Sequence, residues 1–460
     1  MHTASSFTRI SALAIGIAGV LALGQAHASG FQLREQSVKN LGRANAGSAV
    51  MNDDASTVSL NPAAMSNIDK NTVQADVTMI DLDADFTGSG TVLPGTPLAR
   101  PVTGGNGGDP GDQTFVPNMA AVFPMHGALE GMTVGFSVGA PFGLKTEYEP
   151  GWVGRYKAQT SDLKTVDLTM SASFEMSDGI SIGLGLIYER AEATLTKAID
   201  FGSIACATAP GGAANCSPLA PFPFKPQAHD GLFKVEGDNT SWGAVIGAQI
   251  APSDKLAIGV SYRTEIDHDL EGTLDFDTSR AAFVATNPRF ANGAGGAQLT
   301  TPSILTASIR YGFNDDFRLL ADFQQTGWSS LEKVEITREN GIIVGSEDFS
   351  WEDTTFLSVG LEYDINDAFT LRGGVAQDES PTNDKSRTPR LPDEDRMLYS
   401  IGMSWNVSEA FTVDAAYQRI NIDDPTINLP ANFAAGEFSS LNGTYSGSAN
   451  LFGVSAQYRF

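Results

Sequence analysis

The chain is poor in basic residues. Its 29 Lys and Arg face 54 Asp and Glu, a net charge of −25, so it lacks the basic footprint that nucleic-acid binding requires. Histidine is scarce too. Beyond Ala28 only His126, His229 and His268 remain, too scattered to suggest a metal site, and no cofactor is expected. The two cysteines, Cys206 and Cys216, share the Pro/Gly/Ala-rich loop "CATAPGGAANC". Behind a secretory signal a disulfide closing that loop is expected, with two free thiols as the alternative. After Ala28 no apolar run approaches the roughly 20 residues that a transmembrane helix needs. A soluble secreted protein or a barrel in an outer membrane is left.

The secretory signal is present. Arg9 precedes "ISALAIGIAGVLALG", and Ala26, His27 and Ala28 supply a small-x-small cleavage pattern. Residues 1–28 are read as a signal peptide and Ser29 as the mature N-terminus. The apolar run is short for a retained anchor.

What the chain has in quantity is alternation of period two, recurring from about residue 72 to the end. "VDLTMSASFEM" sets Val166, Leu168, Met170, Ala172, Phe174 and Met176 on one face, and Asp167, Thr169, Ser171, Ser173 and Glu175 on the other. A longer run sets Leu256, Ile258, Val260, Tyr262, Ile266, Leu270, Leu274 and Phe276 against Arg263, Asp267, Asp269, Glu271, Asp275 and Asp277. That is about twice the 9–11 residues that cross a bilayer, so this strand should project beyond it. "TVQADVTMIDLDADF" switches its apolar parity between Met79 and Ile80. A bulge there is expected, with a strand end covered on both faces as the alternative.

Fourteen strands are predicted, near 72–86, 114–124, 131–140, 165–176, 180–196, 239–251 and 255–274, then 302–313, 317–327, 354–364, 368–376, 396–405, 411–421 and 449–460. Short connections such as "SDG", "PSD", "NDD" and "IND" alternate strictly with long ones. Short periplasmic turns, long outer loops and an even strand count describe an antiparallel transmembrane β-barrel with both termini in the periplasm. The last residues, "LFGVSAQYRF", fit a closing strand that ends in an aromatic girdle.

Residues 29–71 do not alternate. They are rich in Ala, Gly, Asn and Ser, and either are disordered or fold inside the barrel. A fourteen-stranded lumen is too wide for wall side chains to fill, so a plug is physically reasonable. A second irregularity is "FSVGAPFG", residues 136–143, where an alternating strand meets Pro141. Proline lacks a ladder donor and is confined to edges and bulges. Pro141 therefore either kinks the strand or begins the following loop. Enzyme motifs are not sustained. "GFSVG" lies within a strand, not at a strand-to-helix turn, and "DHDLEG" starts a calcium-type loop that Thr278 fails to close.

The start "SGFQLREQSVKNLGRANAG" with "DDASTVSLNPAAM" resembles the hatch of the FadL-type long-chain fatty acid transporters. "GRYKAQTSDLKTVDL", "LRGGVAQDESP" with "LPDEDRMLYSIGMSW", and the chain's end extend the resemblance over the mature chain. It implies an all-β fold, a fourteen-stranded barrel (72–460) with an N-terminal hatch (29–71) in its lumen. It also implies a kink in the third strand at Ala140, Pro141, Phe142 and Gly143. The kink would open a lateral gap beside the hatch turn Asn61, Pro62 and Ala63, and Phe31 would reach into the ligand pocket. The family's basic head-group partners do not align cleanly here. One position falls on Leu195, leaving Arg190 and Lys197 nearby, and Lys333 stands about two places from the other. The implied function is passive transport, by a monomer in the outer membrane, of long-chain fatty acids or other hydrophobic small molecules into outer-membrane lipid. A solute-selective porin and a barrel enzyme are the alternatives.

Overall fold

The computed structural model describes residues 30–111, 113–208, 216 and 224–460. The expected signal peptide and Ser29 lie outside the described residues. Fourteen antiparallel wall strands close on themselves. They are β1 (Thr72–Val92), β2 (Gln113–Pro124), β3 (Met132–Gly139 and Gly143–Glu147), β4 (Thr160–Ser177) and β5 (Ile180–Asp200). Next come β6 (Asp230–Ser253), β7 (Leu256–Arg263 and Ile266–Asp277), β8 (Gly293–Thr301 and Ile304–Gly312) and β9 (Phe317–Thr326). The last five are β10 (Thr354–Asn366), β11 (Phe369–Asp378), β12 (Arg396–Asn406), β13 (Phe411–Ile422) and β14 (Ser439–Arg459). Each pairs with its neighbours in sequence, and β14 pairs with β1 along all 21 residues, from Thr72–Arg459 to Val92–Ser439. Closure removes every free edge, which a barrel in lipid must do.

The polarity of the two faces inverts partway up the wall. In β5, Ile182, Leu184, Leu186 and Tyr188 are exposed on the outside while Ser181 and Glu189 are buried within. One turn of the pattern higher, Arg190 and Glu192 stand outside, and Ala191, Ala193 and Leu195 face inward. The outer surface passes from lipid to water, and the lumen passes from polar contents to an apolar cavity. β1 shows the same inversion and corrects the bulge expected at Met79 and Ile80. Its register with β14 is unbroken. Val73 and Val77 face outward below that level, and Ile80 and Phe86 are buried inward above it. The parity switch marks a change of surroundings, not of backbone.

The long run from Leu256 is corrected in the other direction. Thr264 and Glu265 interrupt β7. Ile258, Val260 and Tyr262 therefore face outward, whereas Ile266, Leu270, Leu274 and Phe276 are buried inside. Arg263 points into the lumen and Asp267 away from it, so they do not share a face. Exposed aromatics lie at the short-turn end of the wall, among them Tyr311, Tyr363, Trp405 and Phe460. They match an interfacial girdle.

Residues 31–68 fill the turn half of the lumen and are mostly buried. Ser37 caps a short helix, Val38–Leu41, by accepting from Asn40 N. Pro62 opens the 3-10 helix Pro62–Asn67, where its fixed φ and missing donor cost nothing. Glycines in the wall admit this segment. A Cβ at Gly183 would overlap the Pro62–Ala63 backbone, and one at Gly247 would overlap the Asn61 side chain. Lys39 pairs with Asp53 at 2.8 Å within the segment, and Arg43 meets Glu362 of β10 at 2.5 Å.

Leu184 is 57% exposed at the centre of the outer apolar stretch of β5. Leu184→Arg should cost about 2–4 kcal/mol of folding free energy into vesicles, as a midplane arginine does. Asp269→Arg, in the polar zone above, should cost almost nothing. Denaturant titration of both variants in lipid vesicles checks this.

Candidate ligand channel

The wall is interrupted between β2 and β3. The β2–β3 ladder runs from Pro124–Thr133 to Met119–Val138 and ends there. On its other side β2 stays paired with β1 up to Asp81–Gln113. β3 leaves the sheet after Gly139 and rejoins β4 at Gly143–Lys164. Pro141 thus sits inside an interrupted strand and does not begin a loop. Pro117 lies in the stretch of β2 that has lost its β3 ladder, where the lack of an N–H is tolerated.

The N-terminal segment replaces the missing partner. Leu33 N donates to Pro141 O at 2.7 Å, and Gly143 N donates to Phe31 O at 2.8 Å. Gln36 spans the opening. Its Nε2 donates to Ala140 O at 2.8 Å, and its own carbonyl accepts from the Asn118 side chain on β2. Phe142 turns into the lumen and is fully buried, its N donating to Thr165 Oγ1 at 3.0 Å.

The turn Asn61, Pro62 and Ala63 is placed differently from the expectation. It lies on β5 and β6, where Ser181 Oγ donates to Ala63 O (2.9 Å) and Asn61 Nδ2 donates to Ala248 O (3.3 Å). What faces the kink is Phe31 to Gln36.

Two cavities flank this point. The lower one has mixed polar and apolar walls. Gln36, Asn118, Asp167, Arg263 and Pro141 are among its walls. Arg263 bridges Asp167 (2.5 Å) and Glu189 (2.7 Å), and His268 Nε2 meets Glu189 at 2.9 Å. The upper one is almost wholly apolar. Leu144, Leu163, Leu195, Leu270, Val334 and Trp351 enclose it, and Phe31 forms part of its wall. Phe31, Trp328 and Phe142 stand between the two, with ring centroids 4.6 Å (Phe31–Trp328) and 5.9 Å (Phe31–Phe142) apart. A hairpin absent from the sequence reading, Lys333–Arg338 with Ile343–Asp348, closes one side of the upper cavity.

The expected cations do not line that cavity. Arg190 is on the outer face, paired with Glu192 (2.8 Å) and Asp238 (3.2 Å). Lys333 is half exposed beside Glu335, and Lys197 reaches Glu437 at 3.9 Å. Arg390 is the cation that does line it, with Glu347 at 3.0 Å. Cys206 and Cys216 are bonded, with Cα atoms 5.6 Å apart, and neither lines either cavity. Among the described residues no group of His, Cys, Asp and Glu is arranged to hold a metal.

A closed fourteen-stranded barrel with an apolar outer band, a filled lumen and a buried apolar cavity defines a transport barrel of the outer membrane. Comparison identifies which. Residues 19–460 match the family model for outer membrane protein transport proteins (OMPP1/FadL/TodX), and the chain belongs to that family. It is 27% identical to outer membrane protein P1 of Haemophilus influenzae, over 97% of this chain and 98% of that one. It is 27% identical to the long-chain fatty acid transport protein of Escherichia coli K12, over the whole of both chains. The crystal structure of a Pseudomonas aeruginosa FadL homologue superposes with a TM-score of 0.84 at 27% identity, covering 94% of this chain and 99% of that one. The toluene transporter TodX of P. putida shares the fold, with a TM-score of 0.64 at 15% identity, covering 92% and 97%. The family comprises outer-membrane transporters of fatty acids or hydrophobic compounds, not enzymes.

Glu35 adds a titratable group to the segment that closes the gap. It is buried, and its Oε2 has no hydrogen-bond partner among the described residues. Burial lifts its carboxyl from 4.5 to about 7, against the pull of Arg34 and Arg396. The folded value exceeds the unfolded one, so its contribution is full below 4.5 and is lost as pH rises through about 7. Protease access to the N-terminal segment should therefore rise across that window. In Glu35→Gln the rise should be absent.

Proposed function

We propose that hydrophobic molecules, long-chain fatty acids or similarly shaped compounds, enter the apolar cavity from the loop end and leave sideways into the membrane at Pro141. The observation that carries this reading is the interrupted β2–β3 ladder, bridged by Phe31, Leu33 and Gln36. A water-filled path down the lumen is opposed by the buried residues 31–68 beneath the cavity. The name of the E. coli relative favours a fatty acid, and the apolar lining accepts its tail. Such a site needs a mostly apolar pocket with few placed polar groups.

In this reading the N-terminal segment is a plug, and Phe31 must leave the Trp328–Phe142 cluster before a ligand passes from the upper cavity to the gap. The barrel acts as a monomer with both termini in the periplasm and no cofactor. Transport runs down the ligand gradient.

Ala140 is half-buried against the apolar cluster that includes Leu33 and Val38, beside the opening. Ala140→Arg places bulk and charge where an apolar tail must enter lipid. It should insert and bind ligand as the wild type does, but lose most uptake in a cell-based fatty-acid transport assay. Pro141→Ala restores a backbone donor and should also reduce uptake by letting the ladder close. Wild-type uptake by correctly inserted Ala140→Arg would exclude the lateral route.

A further inference from the structure

The apolar cavity has one polar corner, and the loops build it. Arg390, between β11 and β12, is 3% exposed and lines the cavity beside Leu391. Its Nε donates to Glu347 Oε1 at 3.0 Å. Nη1 donates to Thr160 O and Ser161 Oγ, both at 3.3 Å, and to Thr196 O at 3.4 Å. Four neighbours thus fix the guanidinium plane. Nη2 makes no hydrogen bond among the described residues, so one end of the fork is left to whatever occupies the cavity.

A second group of ion pairs lies beside this corner. Glu437 pairs with Lys157 at 2.8 Å and with Lys197 at 3.9 Å. Burial pushes its carboxyl up, yet Lys157, Lys197 and Arg390 hold it below its ordinary range. The charged residues that line the cavity itself are Arg390, Glu347 and Glu236, and Glu236 is held by Lys234. Arg390 is thus the cation of an otherwise apolar lining. An incoming carboxylate would meet a fixed fork with one end free, the condition under which a charge-assisted hydrogen bond is strong.

We propose that Arg390 is the head-group partner of this cavity, that Glu347 orients its guanidinium and competes with the ligand for it, and that the corner selects single-headed monoanionic amphiphiles over neutral ones. This rests on the reading that the cavity holds hydrophobic ligands. The selectivity lies in two loops, and not at Arg190 or Lys333, which face solvent.

The test compares dodecanoate with dodecanol, each brominated at the chain end, as quenchers of tryptophan emission in the detergent-solubilised full barrel. Trp351 lines the cavity and Trp328 stands next to it. Wild type should bind the acid at least about tenfold more tightly than the alcohol, the scale of one charge-assisted hydrogen bond. Arg390→Gln should bring the two within about twofold of each other by weakening the acid alone. Glu347→Gln should tighten the acid severalfold and leave the alcohol unchanged. Arg390→Lys, which keeps the charge, should retain part of the preference. Resistance of the barrel to denaturation by detergent before heating checks folding of each variant. Equal binding of acid and alcohol to wild type, or a preference unchanged in folded Arg390→Gln, overturns the assignment. Binding of neither overturns the hydrophobic-cavity reading itself.

Discussion

A backbone in the hydrocarbon layer has no water to bond to, and an unmet donor or acceptor there costs several kcal/mol. Every other feature of this barrel follows from meeting that demand. Most of the wall junctions meet it with ordinary ladders along most of their length. At β2–β3 the ladder stops at Met119–Val138. The kink's groups are met instead by Phe31, Leu33 and Gln36, from a segment some hundred residues earlier in the chain. The wall is sealed by something that is not wall. Such a seal gives way without unfolding a strand, whereas a continuous ladder does not.

The same demand shapes the inside. Because residues 31–68 occupy the turn half of the lumen, the wall there carries polar side chains and glycines that fit them, such as Gly183 under Pro62 and Gly247 under Asn61. Above that segment the wall turns apolar inward, toward the upper cavity and toward loop residues such as Trp152 and Phe290 that pack against it. Outside, the order is reversed, with lipid below and water above. The inversion within single strands, at Met79 and Ile80 in β1 and between Tyr188 and Ala191 in β5, records both boundaries at once.

This explains which parts were legible in the sequence. All fourteen strands were, because a lipid-facing strand must alternate, and so was Pro141 as a break. The inversion was visible as well, but one strand's sequence cannot distinguish it from a bulge. β1 keeps its register while β7 is broken at Thr264 and Glu265. The placement of Asn61–Ala63 on β5 and β6 was not legible, since its docking depends on glycines more than a hundred residues away. Nor was Arg390. It lies in a loop without periodicity, and only the fold brings it to Glu347 and Leu163. Arg190 and Lys197 flank Leu195, which does line the cavity, but one step of parity separates a lining residue from an outward one. Gln36 left a faint signal, a polar residue in the segment that resembles a hatch, and Pro117 a clearer one.

The central claim is that the N-terminal segment stands in for the missing strand partner of the kink. Amide hydrogen exchange at Gly143 tests it directly, because that N–H donates to Phe31 O and to no neighbouring strand. In the intact barrel the Gly143 amide should be protected. Removal of residues 29–33 should make it exchange rapidly, while amides of β4 that pair elsewhere, such as Ser171, stay protected. A Gly143 amide equally protected with and without that segment would contradict the account.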